Sequence, residues 1–177
     1  MQLGFENLTS AEQGSWREGE HSWSVAEHLD HLATTNAIYI SAMNVVADRA
    51  RAQAKVRRGP AKPGFVGRMF VRMMEPPVRP YLKFKAPRII LPSNAVPVSD
   101  ALARFVEVNQ AANEFLATNV NTDLNSAVFK SPLAAGVWFS LASGLNILAV
   151  HNRRHLWHTL RVHEAGERAG FSHSRQR

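Results

Sequence analysis

Eight of the nine prolines in this 177-residue chain fall between Pro60 and Pro97. Proline lacks a backbone N–H and its ring clashes with the preceding helical turn, so no long helix can cross that stretch. The chain is thereby split into an early and a late helical part. The segment between them is long enough to run from one end of a helix bundle to the other. Gly59-Pro60 opens it. Phe65–Met74 is free of proline and predicts a short helix, with Arg68 and Arg72 one turn apart, which Pro76-Pro77 stops. The length suits one domain, and 45% hydrophobic against 20% charged residues is globular rather than disordered composition.

On either side of the proline cluster the pattern is helical. A short first helix is expected within Leu3–Gln13. The second begins at a capping box, Ser24-Val25-Ala26-Glu27, in which the serine hydroxyl and the glutamate carboxylate each satisfy a backbone N–H of the other residue. Trp23 and His28 are placed to pack across that cap as a hydrophobic staple. This helix should reach about Ala54. Val25, Leu29, Leu32, Tyr39, Met43 and Val46 form its apolar side, and Asp30, Thr34, Ser41, Asn44 and Asp48 its wet side. The third helix is expected from Ser99-Asp100 to Asn119, with Leu102, Phe105, Val106, Ala112, Phe115 and Leu116 buried. Asn121–Ser131 reads as a loop. The fourth helix is expected from about Ala134 to His163 or beyond, followed by a polar tail. The fold class is therefore all-α: an antiparallel four-helix bundle with a long crossover between helices two and three. Residues 1–165 are taken as the bundle domain and 166–177 as a flexible C-terminal tail.

With no cysteine, the chain cannot form disulfides, zinc–thiolate sites, cysteine nucleophiles or iron–sulfur clusters. The N-terminus lacks the basic and apolar regions of a secretory signal. Leu133–Val150, within the longest uncharged stretch, carries Ser140, Ser143, Gly144 and Asn146 and reads as a buried helix rather than a transmembrane segment. A cytoplasmic location fits these features. Of the 21 basic residues, 12 lie between Arg49 and Arg88 beside a single acid, Glu75. Such a region attracts anions, with a solvated linker as the plainer reading. Aromatic residues are interleaved there, but no nucleic-acid motif is present, so nucleic acid is not the expected partner.

The chemistry is concentrated in histidines. At 100° per residue, His151 and His155 continue the apolar stripe Val137, Leu141, Gly144, Leu148 of the fourth helix, and Thr159 and Val162 extend it. Their i, i+4 spacing stacks two imidazoles on one face, the way a helix offers two nitrogens to one metal ion. Asn152-Arg153-Arg154 between them provides no carboxylate base, so this is not a zincin motif. Two buried imidazoles repel each other when charged and need partners when neutral; one divalent cation answers both demands. A third ligand should come from the second helix, where His28 and His31 both qualify. Spacing does not choose between them, although periodicity slightly favours His28.

W-S-V-A-E-H-L-D-H-L-A at Trp23–Ala33 and H-N-R-R-H-L-W-H at His151–His158 together resemble the two signatures of the DinB-like superfamily, in order and separation, over roughly Leu8 to Val162. The resemblance implies an up-down-down-up four-helix bundle, in agreement with the long crossover. It also implies a divalent metal (zinc, nickel or iron) held by His31, His151 and His155, which selects His31 over His28. His158, where a glutamine is common, and Arg154, which could orient a substrate carboxylate, are the further candidates at the site. The first helix is shorter here than in most members, and a second copy of the chain could cover the flank this leaves open, giving a homodimer. Three imidazoles leave coordination positions open, where an ion lowers the pKa of water or a thiol. Relatives include S-transferases and isomerases that use low-molecular-weight thiols, and proteins described only as metal-dependent hydrolases. The resemblance thus implies a metal-dependent transferase acting on a small thiol and an electrophilic substrate. A hydrolase with the same site, or a basic binding module, is the alternative.

Overall fold

The computed structural model describes residues 14–19, 22–77, 86–93 and 96–170. Among them are four α-helices: α1 (Val25–Ala52), α2 (Phe65–Met74), α3 (Val98–Thr118) and α4 (Leu141–Arg168). The short first helix expected within Leu3–Gln13 lies outside the described residues, as does the end of the expected C-terminal tail.

The capping box starts α1 as its sequence dictates. The Glu27 N–H donates to Ser24 Oγ at 3.2 Å, and the Ser24 N–H donates to Glu27 Oε2 at 2.8 Å. The capping carboxylate also holds Arg17. α1 and α3 run parallel. Asp30 meets Arg104 near their first turns, and Arg51 donates to Asn119 at 2.6 Å near their last. Parallel neighbours require an end-to-end connection, which the proline-rich segment supplies. α4 runs antiparallel to α1, with His31 opposite His151 near one end and Met43 opposite Gly144 further along. α2 lies on the first turn of α4. A Cβ on Gly67 would stand 2.3 Å from Ser143 Oγ, so that approach requires glycine. Glu75, just past α2, accepts two hydrogen bonds from Arg153 of α4, at 3.0 and 2.8 Å.

Several expectations need correction. The chain is mostly helical but not wholly so: Val128–Lys130 (β1) pairs antiparallel with Trp138–Ser140 (β2), Phe129 opposite Phe139. α4 therefore starts at Leu141, where Ser140 Oγ caps the Ser143 N–H at 3.1 Å, and not near Ala134. Val137 accordingly leaves the helical stripe. Asp30 is not on the wet side of α1. It is buried at 3% exposure, bonded to Arg104 and to the Ser93 N–H, because α3 and the crossover close over it. On α3, Val106 and Leu116 are each 47% exposed. The buried line runs through Ala101, Val108 and Phe115, with Leu102, Phe105 and Ala112 packed beside it. No helix among the described residues is long and apolar enough to cross a membrane.

The core has two parts. The larger joins Tyr39, Ile40, Met43, Ala47 and Ala50 of α1 to Val108 and Phe115 of α3, to Phe129 and Phe139 of the hairpin, and to Leu141, Ile147 and Leu148 of α4. The smaller contains Val25, Leu29, Ala101 and Val162, backed by Trp16 and Leu102. Between them, α1 and α4 face each other through histidines.

Candidate metal centre

α1 and α4 bring His31, His151 and His155 together. One ring nitrogen of each lies within 4.8 Å of the other two, a group that could hold a metal ion. The ring centroids are 5.2 Å apart for His31–His151, 4.6 Å for His31–His155 and 4.5 Å for His151–His155. The one-turn spacing on α4 supplies two of the rings, and the antiparallel approach of α1 supplies the third.

Hydrogen bonds decide which lone pairs are free. His31 Nδ1–H donates to the Ile90 carbonyl at 2.6 Å, which leaves a lone pair on His31 Nε2. That atom is 3.3 Å from His151 Nε2. Two facing imine nitrogens are satisfied either by a shared proton or by a cation that takes both lone pairs. With a cation the His151 proton sits on Nδ1, which is buried and has no hydrogen-bond partner among the described residues. His155 Nδ1 lies 2.9 Å from His28 Nδ1. When His155 donates in that contact, its Nε2 is left free for the trio. His28 is then the acceptor that sets the His155 tautomer, the role a carboxylate or carbonyl plays behind many metal-bound histidines.

The electrostatics favour neutral rings. Burial, reinforced by His158 and His31, lowers the His28 pKa to about 3. Burial, His31 and Arg154 lower that of His151 to about 3. Burial lowers His31 as well, opposed by its bond to the Ile90 carbonyl, and lowers His155 strongly with help from the four surrounding histidines. Deprotonated imidazoles at neutral pH are the form that binds metal. Three nitrogen donors gathered within 4.8 Å and a fixed tautomer on His31 fit a divalent ion bound by these three residues.

The other candidates fall around the trio. Sequence spacing left His28 and His31 open, and the structure puts His31 among the three and His28 behind His155. Trp23 roofs the group, with centroids 4.9 Å from His31 and 5.9 Å from His155, and meets His28 edge-on at 5.4 Å as the staple required. His158 stands outside the trio, stacked on His28 at 5.7 Å, its pKa lowered to about 4 by burial and by Arg154 and Arg161. Arg154 is half-buried at the rim.

Beside the imidazoles opens a cavity of about 400 Å³. Tyr39, Ile147 and Leu148 form its floor, Phe70 and Met74 of α2 one wall, and Pro87, Ile90 and Leu133 the rest. These wall residues were not identified from the sequence as part of a site, because they read as ordinary core or linker positions. The basic segment reaches this space only in part. Among the described residues it contributes Phe70, Met74, Ala86 and Pro87, and no cation. Its early part is tied to the loop after α3, through Arg57 N–H to Asn121 O and Asp123 N–H to Lys55 O. That is the opposite end of α1, about 32 Å of helix away from His31.

A family model described as the DinB superfamily matches residues 3–159. No curated protein and no solved structure matches the chain.

Proposed function

The chain belongs to the DinB superfamily, and from that premise we propose that it is a metal-dependent transferase which joins a low-molecular-weight thiol to an electrophilic substrate. His31, His151 and His155 hold the ion. When bound there, a divalent ion would lower the pKa of a thiol and so raise the fraction present as thiolate, the nucleophilic form. The chain's own residues do the rest. His28 and the Ile90 carbonyl orient the imidazoles, Trp23 shields them from water, and the apolar cavity positions the electrophile alongside. In the reaction the thiol proton passes to solvent. The sulfur lone pair forms the C–S bond as the bond from carbon to the leaving group breaks, and the leaving group departs with that electron pair.

The carrying observation is a three-nitrogen site facing a cavity in which, among the described residues, no aspartate or glutamate lines the wall. A hydrolase needs a base to manage the proton of attacking water, and the imidazoles on the wall, His28 and His158, with pKa values lowered to about 3 and about 4, are weak ones; a thiol is far more acidic than water and needs less help. The test is to measure metal content of the purified protein and of His151→Ala, then conjugation of a small thiol to an aryl halide. Bound metal lost in the variant, with turnover that requires thiol, supports the reading. Unchanged metal content in the variant rejects the site, and turnover without thiol rejects the reaction.

A further inference from the structure

At 100° per residue Gly67, Phe70, Val71 and Met74 share one face of α2. That face lies on α4 and the hairpin, where Gly67 meets Ser143 and Phe70 meets Phe139. The opposite face carries Phe65, Arg68, Met69 and Arg72 and turns to solvent, with Phe65 76% and Met69 46% exposed. The start of α2 is tied to the end of β2: the Gly64 N–H donates to Ser143 Oγ at 3.0 Å, and that hydroxyl is 2.9 Å from Ser140 Oγ. Phe129 and Phe139 fill the inner face of the hairpin, so Lys130 and its partner Trp138, 60% exposed, point outward. The Lys62 N–H donates to Asn125 Oδ1 at 2.9 Å, on the loop before β1. Phe65, Met69 and Trp138 thus stand at one end of the bundle together with Lys62, Arg68, Arg72 and Lys130. Among the described residues no carboxylate lies within ion-pair distance of these four cations, and the acceptor near Arg68, the Pro63 carbonyl, is neutral. The acids nearby are engaged elsewhere. Asp123 accepts from the Asn125 and Ser126 N–H groups, and Glu75 pairs with Arg153.

Such a face calls for a partner that is both anionic and apolar. A second copy of the chain would set like charges against each other. A nucleic-acid duplex would neutralise the cations but press Met69 against charged phosphates. A bilayer interface presents anionic headgroups over an apolar layer, where aromatic and basic side chains settle. We infer that this end of the bundle docks on an anionic lipid surface, with Phe65, Met69 and Trp138 in the headgroup layer and Lys62, Arg68, Arg72 and Lys130 on the lipid phosphates. The inner face of α2 meanwhile keeps its place in the cavity wall through Phe70 and Met74. Docking of this kind needs neither metal nor thiol, so it stands or falls independently of the transferase reading.

Flotation of the full chain with lipid vesicles tests it. Vesicles of phosphatidylcholine mixed with phosphatidylserine should carry the protein, phosphatidylcholine alone should not, and high salt should release it. Arg68→Gln combined with Arg72→Gln should weaken binding about tenfold or more, since each cation near such a surface contributes about fivefold. Phe65→Ser combined with Met69→Ser leaves the charge unchanged and should also weaken binding about tenfold or more. These four side chains are exposed, so circular dichroism should be unaltered. Tryptophan emission should move to shorter wavelength with the anionic vesicles, and Trp138→Phe, outside α2, should remove most of that shift even where an α2 variant does not fold. Failure to float with the anionic vesicles overturns the inference, as does flotation that the serine pair leaves unchanged. Tighter binding to a DNA duplex than to these vesicles would overturn it in favour of nucleic acid, and a dimer that the serine pair dissociates would overturn it in favour of a second copy.

Discussion

Mild acid should destabilise the metal-free protein before its carboxylates begin to titrate. His28 and His151 have pKa values of about 3 in the folded chain, against about 6.5 in an unfolded one. Below pH 6.5 the unfolded chain takes up protons that the folded chain refuses, so the equilibrium moves towards unfolding. The contribution is complete above pH 6.5, is lost as pH falls, and stops changing only near pH 3, where the folded rings also protonate. One pH unit below the unfolded value, each such histidine costs a little over about 1 kcal/mol, so the pair costs about 3 kcal/mol at pH 5.5. His31 and His155 shift in the same direction and add to it. Against a total stability of about 5–15 kcal/mol, a loss of that size is readily measured. The assay is urea unfolding followed by far-ultraviolet circular dichroism at pH 7.5, 6.5 and 5.5, with metal removed by a chelator. The midpoint should fall steadily across that range, and His28→Gln should lose about one histidine's share of the slope. An unchanged midpoint between pH 7.5 and 5.5 would mean that these rings are protonated or solvated in the folded protein, and the geometry of neutral donors would be wrong.

Zinc at 100 times its dissociation constant should stabilise the wild type by about 3 kcal/mol at pH 7.5, with no such gain in His151→Ala; equal unfolding midpoints with and without zinc would contradict the site. His28→Phe removes the acceptor behind His155 and should weaken metal binding about 10–100-fold. His28→Gln, whose amide oxygen accepts the same proton, should keep most of it, and chelator competition reads the difference. In Gly144→Ala, the new Cβ would stand 2.6 Å from Met43 Sδ and 2.9 Å from ring carbons of Phe129. Overpacking of about 1–3 kcal/mol should outweigh the roughly 1 kcal/mol that alanine gains in a helix, and a raised melting temperature would show that the contact can relax. Arg104→Leu leaves the buried Asp30 carboxylate, among the described residues, with the Ser93 N–H as its hydrogen-bond donor and should cost about 1–3 kcal/mol; a smaller loss would show that water replaces the guanidinium.

Local chemistry was legible wherever one short segment carries the whole signal. The Ser24–Glu27 box fixes the start of α1, and the prolines around Phe65–Met74 fix α2 to the residue. The His151/His155 pair is legible too, because i, i+4 geometry belongs to one helix. What the sequence concealed depends on distant neighbours. Strands of three residues, such as Val128–Lys130 and Trp138–Ser140, are too short to show alternation. Asp30 looks solvated until Arg104, 74 residues on, is seen to meet it. His28 and His31 lie one turn apart on the same face of α1, and both are buried. Which of them joins the trio is settled by the Ile90 carbonyl on the crossover and by the approach of α4, neither of which periodicity encodes.

The position of the imidazoles between two apolar clusters bears on how the variants can be interpreted. Neutral histidines bury far less apolar area than leucines would, so the histidine level should be the weakest in the bundle. It is held open from both sides. Below, Phe129 packs on Tyr39 and Phe139 on Phe70, with ring centroids 5.9 and 5.2 Å apart. Above, Val25, Leu29, Ala101 and Val162 close the bundle. Neither cluster includes an imidazole, so the spacing of α1 and α4 at the site is imposed by packing that a histidine substitution leaves untouched. A binding site built this way can hold donors at distances that their own interactions would not maintain, and removal of one ring should change what the cavity binds long before it changes how the helices pack.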